Sequence, residues 1–510
     1  MLTADYVVVG AGSAGCVLAD RLSADEHTSV VLLEAGPADA GDIPEVRVPM
    51  LFPRMFGSEI DWGFRTVPQP GLDGRTVPCP RGKGLGGSSL INAQLWTRGH
   101  RADYDGWAAA GCHEWDYDSV RPYFDKSESD RTRLAGIRYQ SPATPDFVTA
   151  CAALGYPQAT DQPDGYLLAT ATHHDGLRWS SADAYLSPAR ARANLTIATG
   201  TTARRILFDG THAIGVEVDT AQGTQQILAE REVIVACGAI GSPQLLMLSG
   251  IGPAEHLSRH GLPILMDRPA VGQGLSDHLL VPLAFTGTDF TSPGVGAGPA
   301  AIAQYLGDRT GPLDSIVSEA LVFTRTQPQL TAPDIEIVLL VLPYGEHETT
   351  AEHGLALGVL LLRPESRGSV TLRSADPDDA PLIDPGFLTD PDRNDLRTMV
   401  EGIRKAQEIL AEPVFGKWCD QPLTPGARAS DADELAGYIR RTGLSLFHPV
   451  GTCRMGADAE SVVDPHCRVR GVSGLRVIDA SAMPTLVRGH THAPVTMFAE
   501  RASALILGEN

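Results

Sequence analysis

The chain has 510 residues, 43% of them hydrophobic and 20% charged, and a formal net charge of −21. That describes an ordinary globular protein with chain enough for two to three domains. It excludes a nucleic-acid binder, which needs a basic stripe, and a membrane span, which needs an apolar run of about 18 residues. The eight cysteines form no C-x-x-C pair; Cys16 and Cys237 suit buried free thiols, a cytoplasmic setting is expected, and no metal site is. The chain opens on its first functional strand, so no signal peptide is expected ahead of it.

Tyr6 to Val9 reads as a buried strand, and Gly10, Gly12 and Gly15 then give G-x-G-x-x-G at its end. A helical pattern (Val17, Leu18, Leu22) leads to a second apolar strand, Val30 to Leu33, closed by Glu34. The glycines permit a tight turn, close approach of backbone to a pyrophosphate, and close packing of helix on strand. The helix N-terminus offers free N–H groups and a positive dipole end to phosphate. Glu34, about 20 residues past Gly15, is placed to accept from ribose hydroxyls. This unit predicts dinucleotide binding without separating NAD from FAD; the acid, with no nearby Arg, argues against NADP.

Residues 36–105 are loop-rich, centred on Pro80-Arg81-Gly82-Lys83-Gly84-Leu85-Gly86-Gly87-Ser88-Ser89, where glycines allow backbone to lie against a ligand. Aromatic-rich helical turns follow at Trp107, Trp115, Tyr123 and Phe124. Residues 195–207 and 214–219 read as strands of a small β unit. The run 232–237 is a further parallel strand, with a helix opening at Gln244 to Leu248. Strand-like runs recur at Ile335 to Leu342 and Leu355 to Leu362, and Asp395 to Leu410 has helical spacing. Leu475 to Asp479 reads as a strand and Pro494 to Leu507 as a helix with Pro at its first position. The fold class is therefore α/β plus α+β. A discontinuous Rossmann-like domain (1–155, 190–282, 466–510) is expected beside a substrate domain on an antiparallel sheet (156–189, 283–465).

Several of these segments together resemble the glucose–methanol–choline (GMC) oxidoreductases, a family of FAD flavoproteins. Residues 81–92 are similar to the first family signature and Gly238 to Pro253 to the second; 271–278, 447–456 and 477–481 also look like family segments. The resemblance implies FAD, with the loop of Gly86, Gly87, Ser88 and Asn92 along the isoalloxazine ring. It implies that Ala203 contacts adenine through its backbone, where the family more often has Val, and that Asp479 and Ala480 hold the pyrophosphate and ribityl end. Members with covalent flavin carry a His where this chain has Ile91, which lacks a nucleophilic atom, so the FAD is expected to be noncovalent.

Most of the fifteen histidines are expected to be ordinary polar side chains. His448, in Phe-His-Pro-Val-Gly, and His490, just before the last helix, fall at the positions of the family's catalytic pair. Hydride transfer from an alcohol carbon to flavin N5 requires removal of the hydroxyl proton, and a neutral imidazole can take it near neutral pH. His448 is the expected base. His490 is expected to bond the hydroxyl and the developing alkoxide. His492 shares a face with His490 in an extended segment and is either the alternative partner or a cofactor-side residue. The helix start at Pro494 is expected to favour negative charge at the flavin N1/O2 edge. The implied activity is FAD-dependent oxidation of a small-molecule alcohol, with O2 or another acceptor taking the electrons. Alternatives are an FAD-containing hydroxynitrile lyase, which keeps a similar base pair; a light-driven fatty acid decarboxylase, which lacks it; and an NAD dehydrogenase, which the 81–92 and 238–253 motifs disfavour. Neither the alcohol nor the acceptor can be read from the residues.

Overall fold

In the computed structural model, which describes residues 2–160, 162–287, 291–293, 297–344, 353–423 and 426–509, the N-terminal unit forms as its residues dictate. Strand β1 (Leu2–Val9), helix α1 (Ser13–Leu22) and strand β2 (Val30–Leu33) follow in order, and the strands pair in parallel from Tyr6–Val30 to Val9–Leu33. β2 is buried at all four positions; a parallel strand covered on both faces has no solvent side, which is why it reads as an unbroken apolar run. Helices α2 (Arg101–Ala109) and α3 (Tyr117–Asp130) carry most of the expected aromatic residues. Asp116 caps α3 by accepting from the Ser119 N–H at 3.1 Å. Helix α4 (Ala143–Ala153) and strand β3 (Gly165–Leu168) follow.

Strands β4 (Leu195–Ala198), β5 (Thr202–Asp209), β6 (His212–Thr220) and β7 (Gly223–Val235) correct the expected small β unit. Residues 195–207 are two strands broken at Gly200, whose φ is +58°. β4 joins the parallel sheet beside β2, and β5 to β7 continue the same sheet as a meander, in the order β4-β2-β1-β7-β6-β5. The physical reason is the length of β7. Its 13 residues pair antiparallel with β6 from Gly223 to Leu228 and parallel with β1 up to Val235. Helix α5 (Gly238–Leu248) starts six residues earlier than Gln244. Pro243 inside it cannot donate to the Ala239 carbonyl four residues back. The Thr452 hydroxyl donates to that carbonyl instead, at 2.7 Å, so the helix runs through the proline.

Strands β8 (Leu279–Thr286), β9 (Ser318–Thr324), β10 (Ile335–Leu340) and β11 (Gly354–Leu361) come next. After them lie helices α6 (Asn394–Ala411) and α7 (Ala432–Thr442) and strand β12 (Leu444–Ser445). They build a second, antiparallel sheet in the order β12-β8-β11-β10-β9-β3. Alternate residues divide its faces. Leu279, Val281, Leu283, Ile335, Ile337 and Leu339 pack in one core with α4, α6 and α7. Leu280, Ala284, Val338, Leu340 and Leu360 form another on the opposite face. Helix α4 thus packs with this sheet. Strand β13 (Leu475–Val477) pairs in parallel with β7. Helix α8 (His492–Leu507) begins two residues before Pro494. A proline at the third helical position is tolerated because the first four N–H groups have no intrahelical acceptor. No described helix is long and apolar enough to cross a membrane, and all eight cysteines are free.

The seam between β1 and α1 admits no side chain at Gly15, where a Cβ would fall 1.8 Å from the Gly10 carbonyl oxygen. Gly15→Ala is expected to lower stability by about 1–3 kcal/mol through overpacking. Gly106→Ala, in α2 with no atom near its would-be Cβ, is expected to raise it by up to about 1 kcal/mol. Thermal unfolding of the two variants beside the parent checks both signs.

Candidate active site

One cavity of about 610 Å³ runs between the two sheets, within the usual range for ligand sites. The nucleotide-type turn closes one end. Gly10 adopts φ +99°, a left-handed conformation that glycine tolerates, and its N–H donates to the Leu33 carbonyl at 2.9 Å. Glu34 is buried. Its carboxylate accepts from the Ala11 N–H at 3.0 Å and the Gly36 N–H at 2.9 Å, so it braces the glycine turn from within. Burial raises its pKa, against those backbone N–H groups. The second glycine loop lies on the first: the Gly86 N–H donates to the Ala11 carbonyl at 2.8 Å, and a Cβ on Gly87 would come within 2.6 Å of the Gly12 Cα.

Gly10, Gly12, Glu34, Gly87, Ser88, Asn92, Ala203, Asp479, Ala480, His448, His490 and His492 all line this cavity. Gly15 and Gly86 do not; they act through the packing just described. Asp479 is a buried junction. One oxygen accepts from the Gly238 N–H at 2.8 Å and the Ser242 hydroxyl at 2.5 Å, the other from the Ser481 N–H at 2.8 Å and hydroxyl at 2.5 Å. It therefore ties the start of α5 to the chain after β13. Asn92 spends its carbonyl oxygen on Arg178 at 2.6 Å and the Gln94 N–H at 3.1 Å, which turns its amide nitrogen toward His492 Nδ1 at 3.5 Å. His492 reaches Ser181 Oγ at 3.1 Å through Nε2, and burial together with the Arg178 charge lowers its pKa to about 4.

At the other end the two expected histidines meet, their rings perpendicular with centroids 5.1 Å apart. His448 follows β12 and is fixed by its backbone. Its N–H donates to Asp277 Oδ1 at 2.8 Å, and Asp277 Oδ2 accepts from the Ser445 hydroxyl at 2.5 Å. The preceding residue, Phe447, is held at φ +68°, with its carbonyl accepting from Arg81 Nη2 at 2.6 Å. His448 Nδ1 faces His278 Nδ1 at 2.9 Å; one proton serves both nitrogens. His490 is anchored by its N–H to Thr97 Oγ1 at 2.8 Å and by Nε2 to Glu336 Oε1 at 3.0 Å. Burial lowers the His448 pKa well below the ordinary imidazole value, helped by His490, His278 and Arg81. Burial, then His490, lowers that of His278 to about 3. His448 is thus held neutral in the folded protein.

His278, Asp277, Glu336, Thr97 and Arg178 escaped the sequence reading as site residues. Two carried a signal. Glu336 is a lone carboxylate in the apolar strand Ile-Glu-Ile-Val-Leu-Leu, and His278 opens the apolar strand that follows Asp277. Arg178 carried none.

A dinucleotide fits the residues of this cavity. At Gly12 a Cβ would meet no protein atom closer than 4.0 Å, and at Gly238 none within 4 Å. Both line the cavity, so backbone there is open to a close-lying group, and the N-termini of α1 and α5 border the space. Models of the N- and C-terminal domains of GMC oxidoreductases match residues 4–280 and 364–499. The chain belongs to the GMC oxidoreductase family.

An uncharacterized GMC-type oxidoreductase of Mycobacterium tuberculosis is 43% identical, over 98% of this chain and 99% of that protein. An oxygen-dependent choline dehydrogenase of Brucella canis is 38% identical, over 99% of this chain and 96% of that one. A solved formate oxidase of Aspergillus oryzae, studied for modification of its FAD, superposes with a TM-score of 0.93 at 29% identity, covering 100% of this chain and 99% of the other. The protein is an FAD-dependent oxidoreductase, and the residues of this cavity fit FAD. Glu34→Ala removes the acceptor from two loop N–H groups at its wall. At about 1.5–3 kcal/mol for bonds to a charged acceptor, folding stability is expected to fall by about that amount, measured by thermal unfolding beside the parent.

Proposed function

We propose that this GMC oxidoreductase oxidises an alcohol to an aldehyde or ketone, with His448 as general base and His490 as its hydrogen-bonding partner, and passes the electrons to O2 or another acceptor. The observation that carries the reading is the pair of imidazoles facing each other in the cavity, one of them kept neutral by burial. When bound, FAD would supply the two-electron acceptor. His448 takes the hydroxyl proton. His490, held by Glu336, orients the oxygen and bonds the negative charge that grows on it. The Arg81–Phe447–Asp277 scaffold keeps the base from turning away. Glu34 is assigned to the adenosine ribose, Ala203 to adenine, and Asp479 and Ala480 to the pyrophosphate side. The cofactor unit on this reading comprises 1–142, 190–278 and 466–510, since α4 and β8 pack with the antiparallel sheet. The flavin is noncovalent, because Ile91, buried in the wall, offers no atom to link. The choline dehydrogenase relative supports an alcohol as donor.

Acid precipitation is expected to release the yellow flavin into the supernatant; flavin in the pellet would refute the noncovalent assignment. His448→Ala is expected to slow alcohol-dependent bleaching of the flavin by about 100-fold or more, the worth of a general base, while FAD stays bound. Loss of under tenfold would move the base elsewhere, and a yellow protein that no alcohol bleaches anaerobically would favour the lyase reading. The pH profile has a definite sign. The base works when neutral, and its pKa is lowered, so the acid limb of kcat/KM is expected below the free-imidazole value of about 6.5, with activity retained at pH 6.

A further inference from the structure

Arg178 is 1% exposed and, among the described residues, has no carboxylate hydrogen-bonded to it. Its guanidinium donates only to neutral acceptors: the Val46 carbonyl at 2.9 Å, the Ser89 carbonyl at 3.2 Å and Asn92 Oδ1 at 2.6 Å. Nη2 has no hydrogen-bond partner among the described residues. The acid whose charge acts on it, Asp183, is engaged by Arg47 at 2.8 Å and by the Ser180 N–H and hydroxyl at 2.8 and 2.6 Å. His492, the other titratable group nearby, stays neutral, its pKa lowered partly by this cation. A cation buried among neutral groups is costly, and burial pulls its pKa down to about 9, leaving it charged at neutral pH. Such a charge is expected where a negative charge arises during function.

The segment it grips shows where. Gly87 packs on the nucleotide turn, and Thr97 holds His490. Residues 87–97 therefore span the cavity from the nucleotide-type turn to the histidine pair, the stretch along which the family resemblance puts the redox ring of FAD. Ser89 and Asn92, both bonded to Arg178, line that stretch. We propose that Arg178 is a tuning residue: a fixed cation one layer behind the cofactor loop, whose charge is compensated when FAD is reduced, so that it draws the FAD equilibrium toward the reduced form. A hydride donor delivers two electrons and one proton to the bound ring. The donor is oxidised, the ring is reduced, and unless a second proton follows the ring keeps one negative charge. The inference rests on FAD as cofactor and holds whichever donor is oxidised, so failure of the alcohol reading leaves it standing.

The test is the midpoint potential of the holoenzyme, read by equilibration with reference dyes under anaerobic reduction. Arg178→Met is expected to retain FAD and to shift the reduction equilibrium at least tenfold toward the oxidised form. Arg178→Lys, measured beside the parent at pH 6 so that the buried ammonium keeps its charge, is expected to stay within about threefold of the parent. An Arg178→Met holoenzyme with the parent's potential overturns the proposal, as does an Arg178→Lys shift as large as that of Met. Should the Met variant fail to fold or to hold FAD, the parent's own pH series decides. Potential should change by one proton per two electrons down to a lower pH than for free FAD, and a profile coinciding with that of free FAD overturns the proposal.

Discussion

Two glycine turns in van der Waals contact are the constraint on which the site depends. The Ala11 carbonyl accepts the Gly86 N–H at 2.8 Å, and the backbone of Gly87 rests on Gly12 with no room for a methyl group. Through that contact the dinucleotide turn, set by β1 and α1, places the loop that leads to Asn92 and Thr97. Thr97 in turn places His490. His448 arrives from the opposite direction, through Asp277 at the head of β8 and the bond from Arg81 to Phe447. Arg81 lies in the same glycine-rich loop, so both histidines are registered against one piece of backbone although they stand 42 residues apart in the chain.

The electrostatics follow from burial more than from pairing. Three histidines close to the cavity have pKa values pushed down, chiefly because an imidazolium there would lose its hydration. Neutral imidazoles facing each other accept and donate single protons without accumulating charge. Asp277, held by a hydroxyl and backbone N–H groups, moves the other way, to about 6, because its burial outweighs those bonds. Fixed cations at Arg81 and Arg178 flank this neutral zone from two sides.

Local features were legible in the sequence wherever one segment carries its own reason. The strand–glycine–helix–strand unit, the helix over Asn394–Ala411 and the apolar runs of β10 and β11 all declare themselves by spacing. What was not legible depends on partners far along the chain. The start of α5 is decided by a hydroxyl more than 200 residues away, since only Thr452 makes helical backbone affordable ahead of Pro243. The split of 195–207 depends on β7 being long enough to serve two neighbours. Glu336 and His278 gain meaning only when β10 and β8 come side by side with the histidine loops, and Arg178 only once Ser89 and Asn92 are in place.

The antiparallel sheet is apolar on both faces, but the two faces answer to different demands. Odd positions such as Leu279, Val281, Ile337 and Leu339 grip α4, α6 and α7. Even positions such as Leu280, Val338 and Leu340 form the wall of the cavity. Substitutions at Leu280, Val338 and Leu340 can reshape the chamber while the helical layer keeps its grip on the reverse side. Such a sheet works as a mould with one replaceable surface, its shape on the cavity side separable from its anchorage on the other.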